Sequence, residues 1–140
     1  MNWIKPDWPA PANIHAATTL RTGGSSIGKF ASLNTALHVN DSTELVAANR
    51  RMVSTMLDLP SDPIWLEQVH SNRVIKAEQN SPALQPADAS YTEQGKTVCT
   101  VLTADCLPIL LCNSDGSRVA AIHAGWRGLL SGIISNTVNA

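Results

Sequence analysis

Thr103-Ala104-Asp105-Cys106-Leu107-Pro108-Ile109-Leu110-Leu111-Cys112 is followed, after a short polar turn, by Val119-Ala120-Ala121-Ile122-His123-Ala124-Gly125-Trp126-Arg127-Gly128. These two stretches decide the fold. Each holds a short apolar run bounded by turn residues, which predicts a buried strand. Asp115-Gly116 between them is a hairpin turn signal. Folding one strand back on the other carries Cys106, which precedes the first, toward His123, near the end of the second. A third strand is predicted over Ile64-Trp65-Leu66-Glu67-Gln68-Val69-His70, and it ends on another imidazole. His70, Cys106 and His123 are therefore the candidate site.

Working outward, Arg73–Ala77 and Thr97–Leu102 read as further strands and Ile14–Leu20 as a first one, while Glu78–Ala87 reads as a loop. Arg21–Gly28 is glycine-rich but lacks the spacing of a phosphate-binding P-loop. Asp41-Ser42-Thr43-Glu44 has capping-box spacing, with Asp41 as the expected cap. Leu45, Val46, Met52, Val53, Met56 and Leu57 then recur at helical intervals until Pro60. Gly128–Val138 carries a second helical pattern and reaches Ala140 without a capping signal, as though an element were cut short. Strands of two-sided apolar character with helices on either side predict an α/β sandwich with a mixed sheet. No linker or repeat divides residues 1–140, which read as one domain.

Composition limits the partners. Among 140 residues, 44% are apolar and 15% charged, and the net charge is −1. A chain of that kind buries a core and offers no basic footprint for nucleic acid or an anionic membrane. It has no apolar run of membrane-spanning length and no secretory segment at its start. Three cysteines, all between Cys99 and Cys112, point to a reducing, cytoplasmic setting rather than a disulfide framework. Cys99 and Cys112 sit within apolar runs and read as core; His15 and His38 read as structural.

Two imidazoles and a thiolate are a good donor set for zinc. Three protein ligands leave a coordination position open, and a water there would become acidic enough to react near neutral pH. Gln68 or Asp105 could orient a ligand imidazole, and Arg127, where a helix starts, could hold an anion. Arg50 and Arg51, beside the apolar face of the first helix, are solvated or bind a ligand. Copper also suits His2Cys donors. A cluster of several coppers is excluded, because the chain has four histidines and no His-x-His pair. The H-x-E…P-C-x-x-C signature of nucleobase zinc deaminases is absent too. A metal-free alternative makes Cys106 a nucleophile activated by His123, as in a hydrolase or amidase.

Trp65–His70, Thr103–Pro108 and His123–Gly128, with Ser32-Leu33-Asn34 and Ala48-Asn49-Arg50, closely resemble the signatures of the YfiH-type purine nucleoside phosphorylases. Older names for this family are multicopper polyphenol oxidoreductases and laccase-domain proteins. The resemblance implies that His70, Cys106 and His123 bind zinc at a catalytic centre. It also implies an α-β-β-α sandwich with a mixed sheet, related to the deamidase fold of the bacterial toxin cytotoxic necrotizing factor. The implied activities are phosphorolysis of adenosine, inosine, guanosine and methylthioadenosine, together with adenosine deamination. Arg50, Gln68 and Arg127 are the expected substrate contacts, with purine nucleosides and phosphate as partners. Members of the family are longer, so the resemblance implies a domain lacking its C-terminal portion. Copper-dependent phenol oxidation is the alternative carried by the older names.

Overall fold

The computed structural model describes residues 3–140, which divide into two compact units. The first comprises the residues up to Pro9 together with His15–Leu59, and the second Ala10–Ile14 together with Pro60–Ala140.

In the first unit, β1 (Trp3–Ile4) pairs antiparallel with β2 (Thr18–Thr19), so only two residues of the strand expected over Ile14–Leu20 form one. Helix α1 (Thr43–Met56) follows the predicted pattern and buries Val46, Asn49 and Val53. Its cap is Ser42, one residue later than expected, and the Ser42 hydroxyl accepts from the Leu45 amide. Asp41 is diverted because its Oδ2 accepts from the Ser26 hydroxyl and from Asn34 Nδ2. Those bonds hold its carboxyl below the usual range. Buried Asn49 ties the same loops together, donating to Ser26 Oγ and Asn34 O and accepting from the Ser25 amide.

The second unit contains β3 (Leu66–Glu67), β4 (Val74–Lys76), β5 (Gln85–Pro86), β6 (Ala89–Thr92), β7 (Leu107–Cys112) and β8 (Val119–Ala124). Four of these form a mixed sheet in the order β4-β6-β8-β7, with β4 and β6 parallel and the other pairs antiparallel. β3 and β5 form a separate parallel pair. Strands β7 and β8 make the expected hairpin across Asp115-Gly116, and β7 is an edge of the sheet. β5 lies inside the stretch expected to be a loop. The strand expected over Thr97–Leu102 is reduced to one bridge, Ile64 with Cys99.

The register explains the core. Val74, Ala89, Ile122 and Ile109 are successive partners across the four strands, so one face carries an apolar row. Ile133 packs on that row, and Ile122 and Ile133 are fully buried. Each such side chain contributes about 1.5–3 kcal/mol through burial. Leu66, Ile75 and Ala87 form a second cluster with Val101 against them. The predicted C-terminal helix is two helices, α2 (Trp126–Ser131) and α3 (Ile133–Val138). Gly132 breaks it at φ 94°, a conformation glycine adopts without a Cβ penalty. The break turns Ile133 onto the sheet. No helix among the described residues is long and apolar enough to cross a membrane.

Candidate metal centre

Cys106 and His123 meet because of strand register. Pro108 is paired with His123 and Leu107 with Ala124, so the residue before β7 lies beside the end of β8. His70 arrives by a different route, from the segment that leaves β3. One donor atom from each of His70, Cys106 and His123 lies within 4.8 Å of the others. It is the one cluster of three such donors among the described residues. The two imidazoles meet edge to face, with centroids 4.9 Å apart. His123 is buried, Cys106 half-buried and His70 exposed. The site is thus anchored at one end and open at the other.

Two residues not expected to be part of the site shape this arrangement. The first is Gly125, which immediately follows β8. A Cβ there would stand 3.0 Å from His70 Nδ1 and 3.2 Å from Cys106 Sγ. His70 and Cys106 approach through space that a Cβ would crowd.

The second is Asp88, which is fully buried just before β6. Its Oδ2 lies 2.7 Å from His123 Nδ1 and accepts from the His70 amide at 3.0 Å. Its Oδ1 accepts from the amides of Val69 and Ser71, at 3.1 and 2.8 Å, and from the Ser71 hydroxyl at 2.8 Å. Its backbone carbonyl accepts from the His123 amide at 2.7 Å. Burial pushes this carboxyl up, but the bonds from His123, Ser71 and Val69 outweigh it and leave the group below its ordinary value. The signal in the sequence is slight: one carboxylate among small residues, Pro86-Ala87-Asp88-Ala89-Ser90.

The other expected site residues have separate places. Both polar ends of the Gln68 amide pair with Leu102, donating to its carbonyl at 2.8 Å and accepting from its amide at 2.7 Å. Asp105 approaches the Cys106 sulfur at 3.9 Å. The imidazole of His123 is therefore oriented by Asp88, and neither Gln68 nor Asp105 has that role. Arg127 is exposed at the first turn of α2, its guanidinium 5.1 Å from the Trp126 ring centroid. Arg50 belongs to the first unit, where its Nε donates to the Thr35 carbonyl and burial lowers its pKa.

The donor set suits a divalent cation of borderline softness. The Cys106 thiol is pushed up by desolvation, then by the charge and hydrogen bond of Asp105 and the charge of Asp88. An activated cysteine nucleophile needs the opposite shift.

Residues 15–140 match the family described as multi-copper polyphenol oxidoreductase laccase. The chain belongs to that family. Its curated relatives in this family carry a second name. A purine nucleoside phosphorylase of Escherichia coli, YfiH, is 46% identical over 136 residues, covering 97% of this chain and 56% of that protein. A purine nucleoside phosphorylase of Pseudomonas aeruginosa is also 46% identical, over 138 residues. Among solved structures, a Neisseria meningitidis protein superimposes with a TM-score of 0.93 at 45% identity, covering 99% of this chain and 57% of that one. YlmD of Geobacillus stearothermophilus gives 0.90 at 32% identity. The chain spans about half the length of the curated relatives it matches. The laccase-family fold is thus a mixed α/β fold with a mixed sheet, as expected, and the family description implies metal binding.

Proposed function

We propose that this chain serves a zinc-dependent purine nucleoside phosphorylase acting on adenosine, inosine, guanosine and methylthioadenosine, with adenosine deaminase activity besides. The observation that carries the reading is the convergence of the His70, Cys106 and His123 donors within 4.8 Å. The names of its relatives support the substrate class. Zinc supplies Lewis acidity in a site of this kind. His123 offers Nε2, since Nδ1 faces Asp88. Cys106 contributes a thiolate once a cation offsets the surroundings that raise its pKa. Exposed Arg127 is suited to attract phosphate as one of its oxygens bonds to the ribose anomeric carbon and the bond to the purine nitrogen breaks. Gln68 is the further substrate contact proposed. The free cysteines accord with a reducing cytoplasm as the working compartment.

The family description favours a second reading, a copper-dependent polyphenol oxidoreductase using the same three donors. One set of experiments separates the two. Protein purified without added metal is expected to carry about one zinc per chain. Joined to the C-terminal remainder of the E. coli relative, it is expected to cleave inosine only when phosphate is present. Cys106→Ala should lose both properties. Undiminished inosine cleavage by that variant overturns the proposal, and phenol oxidation restored by copper alone replaces it with the second reading.

A further inference from the structure

We infer that Asp88 is the positioning residue of the centre, one carboxylate governing two of its three donors. The inference rests on the reading of His70, Cys106 and His123 as metal ligands. At His123, Asp88 decides which nitrogen carries the proton. Asp88 Oδ2 faces Nδ1 at 2.7 Å, and a carboxylate can only accept. Nδ1 therefore keeps its hydrogen, and Nε2 is left with its lone pair. A carboxylate behind a ligand imidazole fixes both ring orientation and tautomer.

At His70, Asp88 acts through the backbone. His70 has φ 58°, in the left-handed region, which a residue with a Cβ adopts only when its surroundings support it. Three successive amides, from Val69, His70 and Ser71, point at the Asp88 carboxylate. Consecutive N–H groups in such a turn form a concave anion-binding nest, here filled by the protein's own side chain. The turn is fastened from the other side by Asn72, whose Nδ2 donates to Ser131 O and whose carbonyl accepts from Asn136 Nδ2. Without the carboxylate nothing among the described residues accepts those three amides, and the left-handed turn loses its support.

Asp88→Asn tests this sharply, because asparagine keeps the shape and changes one acceptor into a donor. The Oδ1 position has three donors to satisfy, so the amide oxygen belongs there. The NH2 group then faces His123 Nδ1, which must become the acceptor. The proton moves to Nε2 and blocks the metal-facing nitrogen. Three readouts follow, and the first is informative on the native protein alone. In metal-free protein, nitrogen-15 NMR of the imidazoles is expected to show His123 protonated on Nδ1, and on Nε2 in Asp88→Asn. Cobalt and zinc titrations are expected to show affinity falling about 10–100-fold in Asp88→Asn. Hydrogen exchange at residues 69–71 should accelerate while residues 107–124 stay protected.

Nε2 protonation in the native protein overturns the inference even if the variant fails to fold. So does an Asp88→Asn protein that binds cobalt as tightly as the native chain, and in that case the metal site itself stands. A native chain that binds neither cobalt nor zinc, while Cys106→Ser behaves identically, overturns the metal reading instead. The inference about metal positioning then falls with it.

Discussion

Two regions bring donors to the same point, and they are built on different physics. The β7–β8 hairpin positions Cys106 and His123 by register, with an apolar row on one face and Ile133 packed against it. The segment from Leu66 to Asn72 positions His70 by polar contacts, through a left-handed residue, three amides and one buried carboxylate. A hairpin is specified by nearby residues and a hydrophobic face. The His70 turn is specified by a residue eighteen positions away that shares no pattern with it. Local chemistry made one half of the centre; a long-range hydrogen-bond hub made the other.

The largest expected effect comes from deleting the hub. Asp88→Ala leaves three amides and the His123 nitrogen without their acceptor, and the expected loss of stability is about 3–5 kcal/mol. Chemical denaturation measures it. A loss below about 1 kcal/mol would mean that water replaces the carboxylate at no great cost, and the contrast between the two regions would fail.

Next is the apolar half. Ile133→Ala should cost about 2–4 kcal/mol by opening a cavity over Ile122, read from the same denaturation curves. Hydrogen exchange sharpens the comparison, since this change should loosen residues 107–124 as well as the helices. If only α3 frays, the hairpin does not depend on the row beneath it.

The smallest effect has the opposite sign. His70→Gly removes a donor and also the left-handed penalty, so stability should rise by up to about 1 kcal/mol while cation affinity is lost. A destabilised variant would show that the His70 ring contributes more packing than its exposed position implies.

The same division explains what is legible in the chain alone. The turn at Asp115-Gly116, the runs on either side of it and the helical spacing after Asp41 are periodic or local signals, and each forms an element close to where it is expected. Cys106 and His123 are visible at the ends of the hairpin strands, whereas the strand expected over Ile64–His70 stops at Glu67 and leaves His70 in a turn beyond it. β6 is not, because Ala89-Ser90-Tyr91-Thr92 mixes small and polar residues where the sheet is covered and needs little bulk. Thr97–Leu102 fails in the reverse way: its apolar pattern is strand-like, yet apart from the Cys99 bridge it finds no strand partner among the described residues and serves as packing, with Val101 against the cluster of Leu66, Ile75 and Ala87. Asp88 has no periodicity to announce it. Its importance lies in what it reaches, which only the folded chain displays.

Gly125 has a further consequence. At this position composition works by subtraction, since the chain reserves space by withholding a methyl group beside the ring of His70 and the sulfur of Cys106. Any side chain placed there would press on that ring and that sulfur. The smallest amino acid in this part of the fold thus sets how near the ring of His70 and the sulfur of Cys106 can come to the end of β8.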